Sequence, residues 1–167
     1  MAAIKPEKDV DGFRPDSPFV PATPKGIMDY LAASNFDVDG KLVVIIGRSD
    51  IVGKPLAKLM TDANATVTLC HSHTSEEDMG ILLTIADLVV CAVGKAEFLD
   101  CHRTTAPVID VGINFDENGK LVGDCYNTEG RDVTPVPGGV GLLTRVSLLE
   151  NVVTAAEIKE GKENATK

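Results

Sequence analysis

Gly47, Arg48 and Ser49 stand directly after an unbroken apolar run, Leu42-Val43-Val44-Ile45-Ile46, and Gly53-Lys54-Pro55 follows shortly after. Apolar, mostly β-branched residues without alternation predict a strand buried on both faces, as in a parallel sheet covered by helices. Gly47 permits a tight turn that brings the backbone close to a ligand. Pro55 suits the first turn of a helix, where no N–H is needed. Strand, glycine turn and helix start set unpaired N–H groups and the positive helix end against an anion, so the chemistry on offer is phosphate binding. The spacing is not G-x-G-x-x-G, because Arg48 and Ser49 fill the compact repeat. It is not a P-loop either, because Lys54 is followed by Pro55 rather than Ser or Thr. On spacing alone, a phosphate site and an ordinary strand-to-helix turn are both open readings.

A second polar group, His71-Ser72-His73, ends another apolar run. The two histidines lack a third ligand at metal spacing, so no metal site is expected. Cys70, Cys91, Cys101 and Cys125 form no C-x-x-C pair. Buried, reduced thiols are the favoured reading. The net charge of −9 with no offsetting Lys/Arg cluster argues against nucleic acid as a partner. No signal peptide and no membrane span are legible, so a cytoplasmic, reducing compartment is expected.

These residues need a scaffold. At 167 residues, 44% of them apolar, the chain is long enough for one real core built from Val, Ile, Leu and Ala. Residues 1–24 hold little periodicity, and Pro15, Pro18, Pro21 and Pro24 forbid regular structure over the last ten of them, so 1–23 is read as a leading segment and linker. Thr23 is a plausible N-cap for a helix over Pro24–Ser34, with Pro24 at its first position. Further strands are expected over Ala65–His71, Ala86–Gly94 and Ala106–Asn114. A helix is expected over Glu76–Ile85, a hairpin at Asn118-Gly119, and a final helix over Thr144–Lys159. The alternation predicts an α/β, Rossmann-like, doubly wound and mostly parallel sheet with flanking helices, plus a small β-hairpin. Its nucleotide-binding unit would span 24–160, with a disordered tail over 161–167.

In such a fold the ligand crevice lies at the carboxyl ends of the strands. Gly47-Arg48-Ser49, His71-Ser72-His73, Gly94-Lys95 and Gly112-Ile113-Asn114 all fall at such ends. A carboxylate at the end of the second strand usually receives the ribose 2′-hydroxyl of NAD. Here His71 and Ser72 stand instead, and Arg48 offers a guanidinium from the next loop. The sequence therefore leans toward NADP as cofactor.

Several stretches together resemble a known family. They are Lys8-Asp9-Val10-Asp11-Gly12-Phe13, the segment from Pro21 to Gly26, Gly47 to Pro55, Ala65 to Ser72, Val108 to Asn114, and Thr134-Pro135-Val136-Pro137-Gly138-Gly139-Val140-Gly141. In this order they are similar to the C-terminal, nucleotide-binding part of the bifunctional methylenetetrahydrofolate dehydrogenase/cyclohydrolases (FolD family). The resemblance implies NADP contacts at Gly47, Arg48, Ser49, His71, Ser72, Ile113 and Thr144. It implies folate contacts at Asp11, Pro137, Gly138 and Gly139. It implies oxidation of 5,10-methylenetetrahydrofolate by hydride transfer to NADP, hydrolysis of the methenyl product, and a homodimer.

The departures are equally specific. The family's catalytic Tyr-x-x-x-Lys belongs to an N-terminal domain, and nothing here matches it: Tyr30 is followed by Ser34 and Tyr126 by Gly130 at that spacing. Leu142 replaces a customary proline, and the loop from Asp100 to Ala106 is short. No catalytic residue is assigned within this chain. Two functions follow. One is an enzyme of one-carbon metabolism, or part of one, acting on tetrahydrofolate derivatives with a separate chain supplying the catalytic domain. The other is a non-catalytic NADP-binding module or subunit.

Overall fold

The computed structural model describes residues 3–165. The apolar run forms β1 (Leu42–Ile46), with its last four residues buried. It pairs in parallel with β2 (Thr66–Cys70) on one side and β3 (Leu88–Cys91) on the other. β3 pairs in parallel with β5 (Val108–Asp110), giving the order β2-β1-β3-β5. The order reverses direction between β1 and β3, which is the switch point where doubly wound sheets bind ligands.

Period-2 alternation splits the strands between two cores. Val43 and Ile45 of β1 and Val90 of β3 pack with Ile27 and Leu31 of α1 (Ala22–Ala33) and with Leu56 and Met60 of α2 (Gly53–Asp62). Val44 and Ile46 of β1 and Val89 and Cys91 of β3 face the opposite way, onto Met79 and Leu83 of α3 (Glu76–Ile85). The α3 bounds follow from the sequence. Ser75 accepts the Asp78 N–H as N-cap, and Glu76, Glu77 and Asp78 fill the first turn at the positive helix end.

Several elements differ from the sequence expectation. α1 begins at Ala22 rather than Pro24, because the Pro21 carbonyl already accepts the Lys25 N–H. Thr23 therefore lies inside the helix and is not its cap. α4 runs from Val140 to Ala165, starting before Thr144 and continuing through most of the segment expected to be a disordered tail. Residues 166–167 of that segment lie outside the described residues. The Lys8–Phe13 segment is a loop turned at Gly12 (φ +73°), preceded by a 3-10 turn over Pro6–Lys8. The hairpin forms as expected from β6 (Asn114–Phe115) and β7 (Leu121–Val122). An unexpected parallel pair joins β4 (Leu99–Asp100) to β8 (Cys125–Tyr126). Strands of two residues are too short to leave a pattern.

The N-terminal segment is tied to α4 by polar contacts. The Asn151 side-chain amide donates to the carbonyls of Val10 and Val20 at 2.8 and 3.0 Å. The Ala22 N–H donates to the Asp11 carbonyl. α1 and α4 cross closely at Gly26, where a Cβ would lie 2.9 Å from the Leu143 backbone. No described helix is long and apolar enough to cross a membrane.

Candidate functional site

The β1 turn is built by close backbone approach. Gly47 has φ +123°, and a Cβ there would sit 2.1 Å from the Ala92 carbonyl oxygen. A Cβ on Gly53 would sit 2.0 Å from the Gly47 carbonyl oxygen. Both positions therefore require glycine. Ser49 stabilises the helix entrance: its hydroxyl accepts from the N–H groups of Val52 (3.1 Å) and Gly53 (3.4 Å), and its carbonyl accepts from Lys54. The N–H groups of Arg48, Ser49, Asp50 and Ile51 make no hydrogen bond among the described residues. Residues 48–51 form the turn that leads into α2, and their four consecutive free amides are available to an anion there.

The neighbouring strand end is held beside this turn. Gly47 N–H donates to the Cys70 carbonyl at 2.9 Å, so Arg48 and His71 each stand one residue beyond a bonded pair. Arg48 is exposed, and its guanidinium makes no ion pair or hydrogen bond among the described residues. The His71 N–H donates to the Thr74 hydroxyl, and His71 Nδ1 lies 3.1 Å from the His73 N–H. An accepting Nδ1 assigns the neutral ring's proton to Nε2, leaving a donor on the outer edge of the imidazole. Ser72 is exposed beside it.

The β3 and β5 ends carry a network that the sequence reading missed. Asp124, fully buried, accepts the N–H groups of Val93, Gly94 and Lys95 at 2.6, 2.9 and 2.8 Å, and the Asn114 amide at 2.8 Å. Asp110, also buried, accepts those of Gly112, Asp124 and Cys125, each at 2.9 Å. The Thr134 hydroxyl accepts the Asp110 N–H, which brings in the segment leading to Pro137-Gly138-Gly139. The sequence signal lay in Gly112 and Gly123, where a Cβ would overlap the side chains of Asp124 and Asp110 respectively.

The remaining sequence-named residues divide into two places. Ile113 is two-thirds exposed beyond β5, at the foot of the hairpin. The Thr144 hydroxyl lies 3.0 Å from those of Thr23 and from the Val140 carbonyl, at the start of the α1–α4 seam. Asp11 is half-buried, and its carboxyl makes no hydrogen bond among the described residues. The Ala22 contact places the Asp11 backbone at the start of α1, while Pro137, Gly138 and Gly139 lead into the start of α4. The Thr23–Thr144 contact joins those two helix starts. Cavities of about 590 and 310 Å³ flank the β7–β8 segment and are lined by none of these residues.

Among the thiols, Cys70, Cys91 and Cys101 are buried and Cys125 is half-buried. Burial and then Cys125 push the Cys101 thiol up to about 12. Contact with Cys91, followed by burial, pushes Cys125 up as well.

A parallel sheet with a switch point between β1 and β3, a glycine-locked anion turn and a polar β2 end define a dinucleotide-binding domain of the Rossmann type. Residues 21–160 match the model of the tetrahydrofolate dehydrogenase/cyclohydrolase NAD(P)-binding domain, and the chain belongs to that family. It is 46% identical to the bifunctional protein FolD of Staphylococcus carnosus, a match covering 98% of this chain and 62% of the relative. The structure superposes on the bifunctional FolD enzyme of Campylobacter jejuni with a TM-score of 0.86 at 41% identity, over 94% of this chain and 61% of that one. The Trypanosoma brucei FolD, solved with NADP cofactor and inhibitor, gives a TM-score of 0.86 at 36% identity, over 95% and 61%. The chain thus spans about three-fifths of the length of the relatives it matches.

Proposed function

We propose that this chain is the NADP-binding part of a methylenetetrahydrofolate dehydrogenase/cyclohydrolase. The four free amides of residues 48–51, beside an unpaired Arg48, carry this reading. The amides receive the pyrophosphate at the start of α2. Arg48, Ser72 and the His71 edge receive the 2′-phosphate, because no carboxylate repels it at the end of β2. The second half of the dinucleotide crosses the switch point toward β3 and β5, where Ile113 and Thr144 flank it. Asp11 and the Pro137-Gly138-Gly139 turn hold the folate. Hydride passes from the methylene carbon of 5,10-methylenetetrahydrofolate to NADP, a step that depends chiefly on holding the two together.

Hydrolysis of the methenyl product needs a proton-handling group, worth about 10²–10⁴-fold in rate. None of the residues named here supplies it, so that group comes from a domain beyond this chain or from a separate chain. The exposed stripe Leu142, Val146, Leu149 and Val153 along α4 suits such a domain. Steady-state assay of the isolated chain with methylenetetrahydrofolate and NADP is expected to show weak dehydrogenase and no cyclohydrolase turnover. Robust turnover in both reactions would overturn this division of labour. The missing Tyr-x-x-x-Lys also supports the second reading, a non-catalytic NADP-binding subunit, in which NADP binds without any turnover.

The hairpin supports a homodimer. Ile113 and Phe115 are 66% and 69% exposed beside the β6 edge, and such edges invite pairing with a second copy. Light scattering at tens of micromolar is expected to give twice the chain mass; a strictly monomeric mass contradicts the dimer.

A further inference from the structure

We infer that Asp124 is a positioning residue that fixes the β3 loop, Val93 to Lys95, under the nicotinamide half of the cofactor. The inference rests on the proposed NADP site. Three consecutive backbone N–H groups pointing at one spot form a concave anion nest. In this molecule the anion is internal. Oδ2 of Asp124 takes Val93 and Gly94, and Oδ1 takes Lys95 and the Asn114 side chain. The nest is therefore closed to a phosphate, whereas the amides of the β1 turn are free among the described residues.

The placement of the loop gives the residue its role. Ala92 N–H donates to the Ile46 carbonyl, and Gly47 packs against the Ala92 carbonyl. The loop thus begins in contact with the phosphate-binding turn, on its β3 side. Adenosine belongs on the β2 side of the switch point, so the half that crosses it meets β3 and β5. Gly94 sits at φ +72° with nothing within 4 Å of a Cβ position, so one flank of the loop is open. The other flank is pinned to Asp124, whose own N–H is held by Asp110. Thr134 ties Asp110 to the segment running toward Pro137-Gly138-Gly139. One buried relay therefore sets the β3 loop, the β5 end and the proposed folate turn in a fixed relation.

The test is Asp124→Asn. An amide has one acceptor oxygen, and either orientation sets its NH₂ against two N–H donors. In the unaltered chain the amides of Val93, Gly94 and Lys95 are expected to exchange with solvent as slowly as those of β3. In Asp124→Asn they exchange faster, NADP affinity falls about ten- to hundredfold by calorimetry, and affinity for adenosine 2′,5′-bisphosphate, which lacks the nicotinamide half, stays within about twofold. Asn114→Ala removes one donor and leaves the carboxylate, so it shifts the same readouts in the same direction if the first variant fails to fold. Equal loss for both ligands, no loss for either, or free exchange of residues 93–95 in the unaltered chain overturns the inference while the cofactor site stands. Failure of the unaltered chain to bind either ligand overturns the cofactor site and this inference together.

Discussion

Arg48 and Cys101 show how differently single residues are set by their surroundings. Arg48 stands exposed and unpaired next to four free amides, which is an unusual place for a strong donor unless an anion arrives there. Cys101 is sealed in the core under α3, and its thiol is pushed up to about 12, chiefly by burial. A thiol held above its ordinary range favours the folded state fully below its unfolded value, near about pH 8.5. That advantage is lost progressively as pH rises from there toward 12, because the unfolded thiol ionises first. Iodoacetamide at about pH 8 is therefore expected to leave native Cys101 unmodified and to label it only after urea unfolding. Rapid labelling of the native chain would contradict the burial argument.

At the scale of elements, the β1–turn–α2 unit has almost no freedom. Gly47→Ala would drive a Cβ into the Ala92 carbonyl at a positive φ, a backbone clash that no rotamer relieves. The expected cost is about 2–4 kcal/mol in urea unfolding, together with loss of NADP binding. A stability within about 0.5 kcal/mol of the unaltered chain would show that the turn is slack. This unit was legible because each part leaves a local mark: an apolar run, a glycine and an early proline. α3 was expected over the residues it occupies, and the structure adds what fixes its start, the Ser75 cap and three acids in the first turn. The Asp110–Asp124 relay was not, because a buried carboxylate satisfied by backbone donors leaves no spacing. Its partners lie up to 31 positions away, and their backbone N–H groups are common to every residue type but proline. The start of α4 was missed by a turn because Gly141 breaks the helical pattern, yet the backbone there is already helical.

In the reading proposed above, the whole molecule supplies one side of a cleft: the switch point of the sheet takes the dinucleotide, and the Asn151 contacts hold the Asp11 segment in place for the folate. The α4 stripe Leu142, Val146, Leu149 and Val153 stays exposed, an apolar face of the kind that receives another protein surface. Cofactor choice, by contrast, is proposed to need only this chain, since Arg48, His71 and Ser72 lie just beyond the ends of β1 and β2. Calorimetric titration of the chain with NADP and with NAD, repeated on Arg48→Ala, tests that claim most directly. Tighter binding of NADP is expected, with the variant losing about 1.5–3 kcal/mol for NADP and little for NAD. Equal affinities, or tighter NAD, would contradict the account.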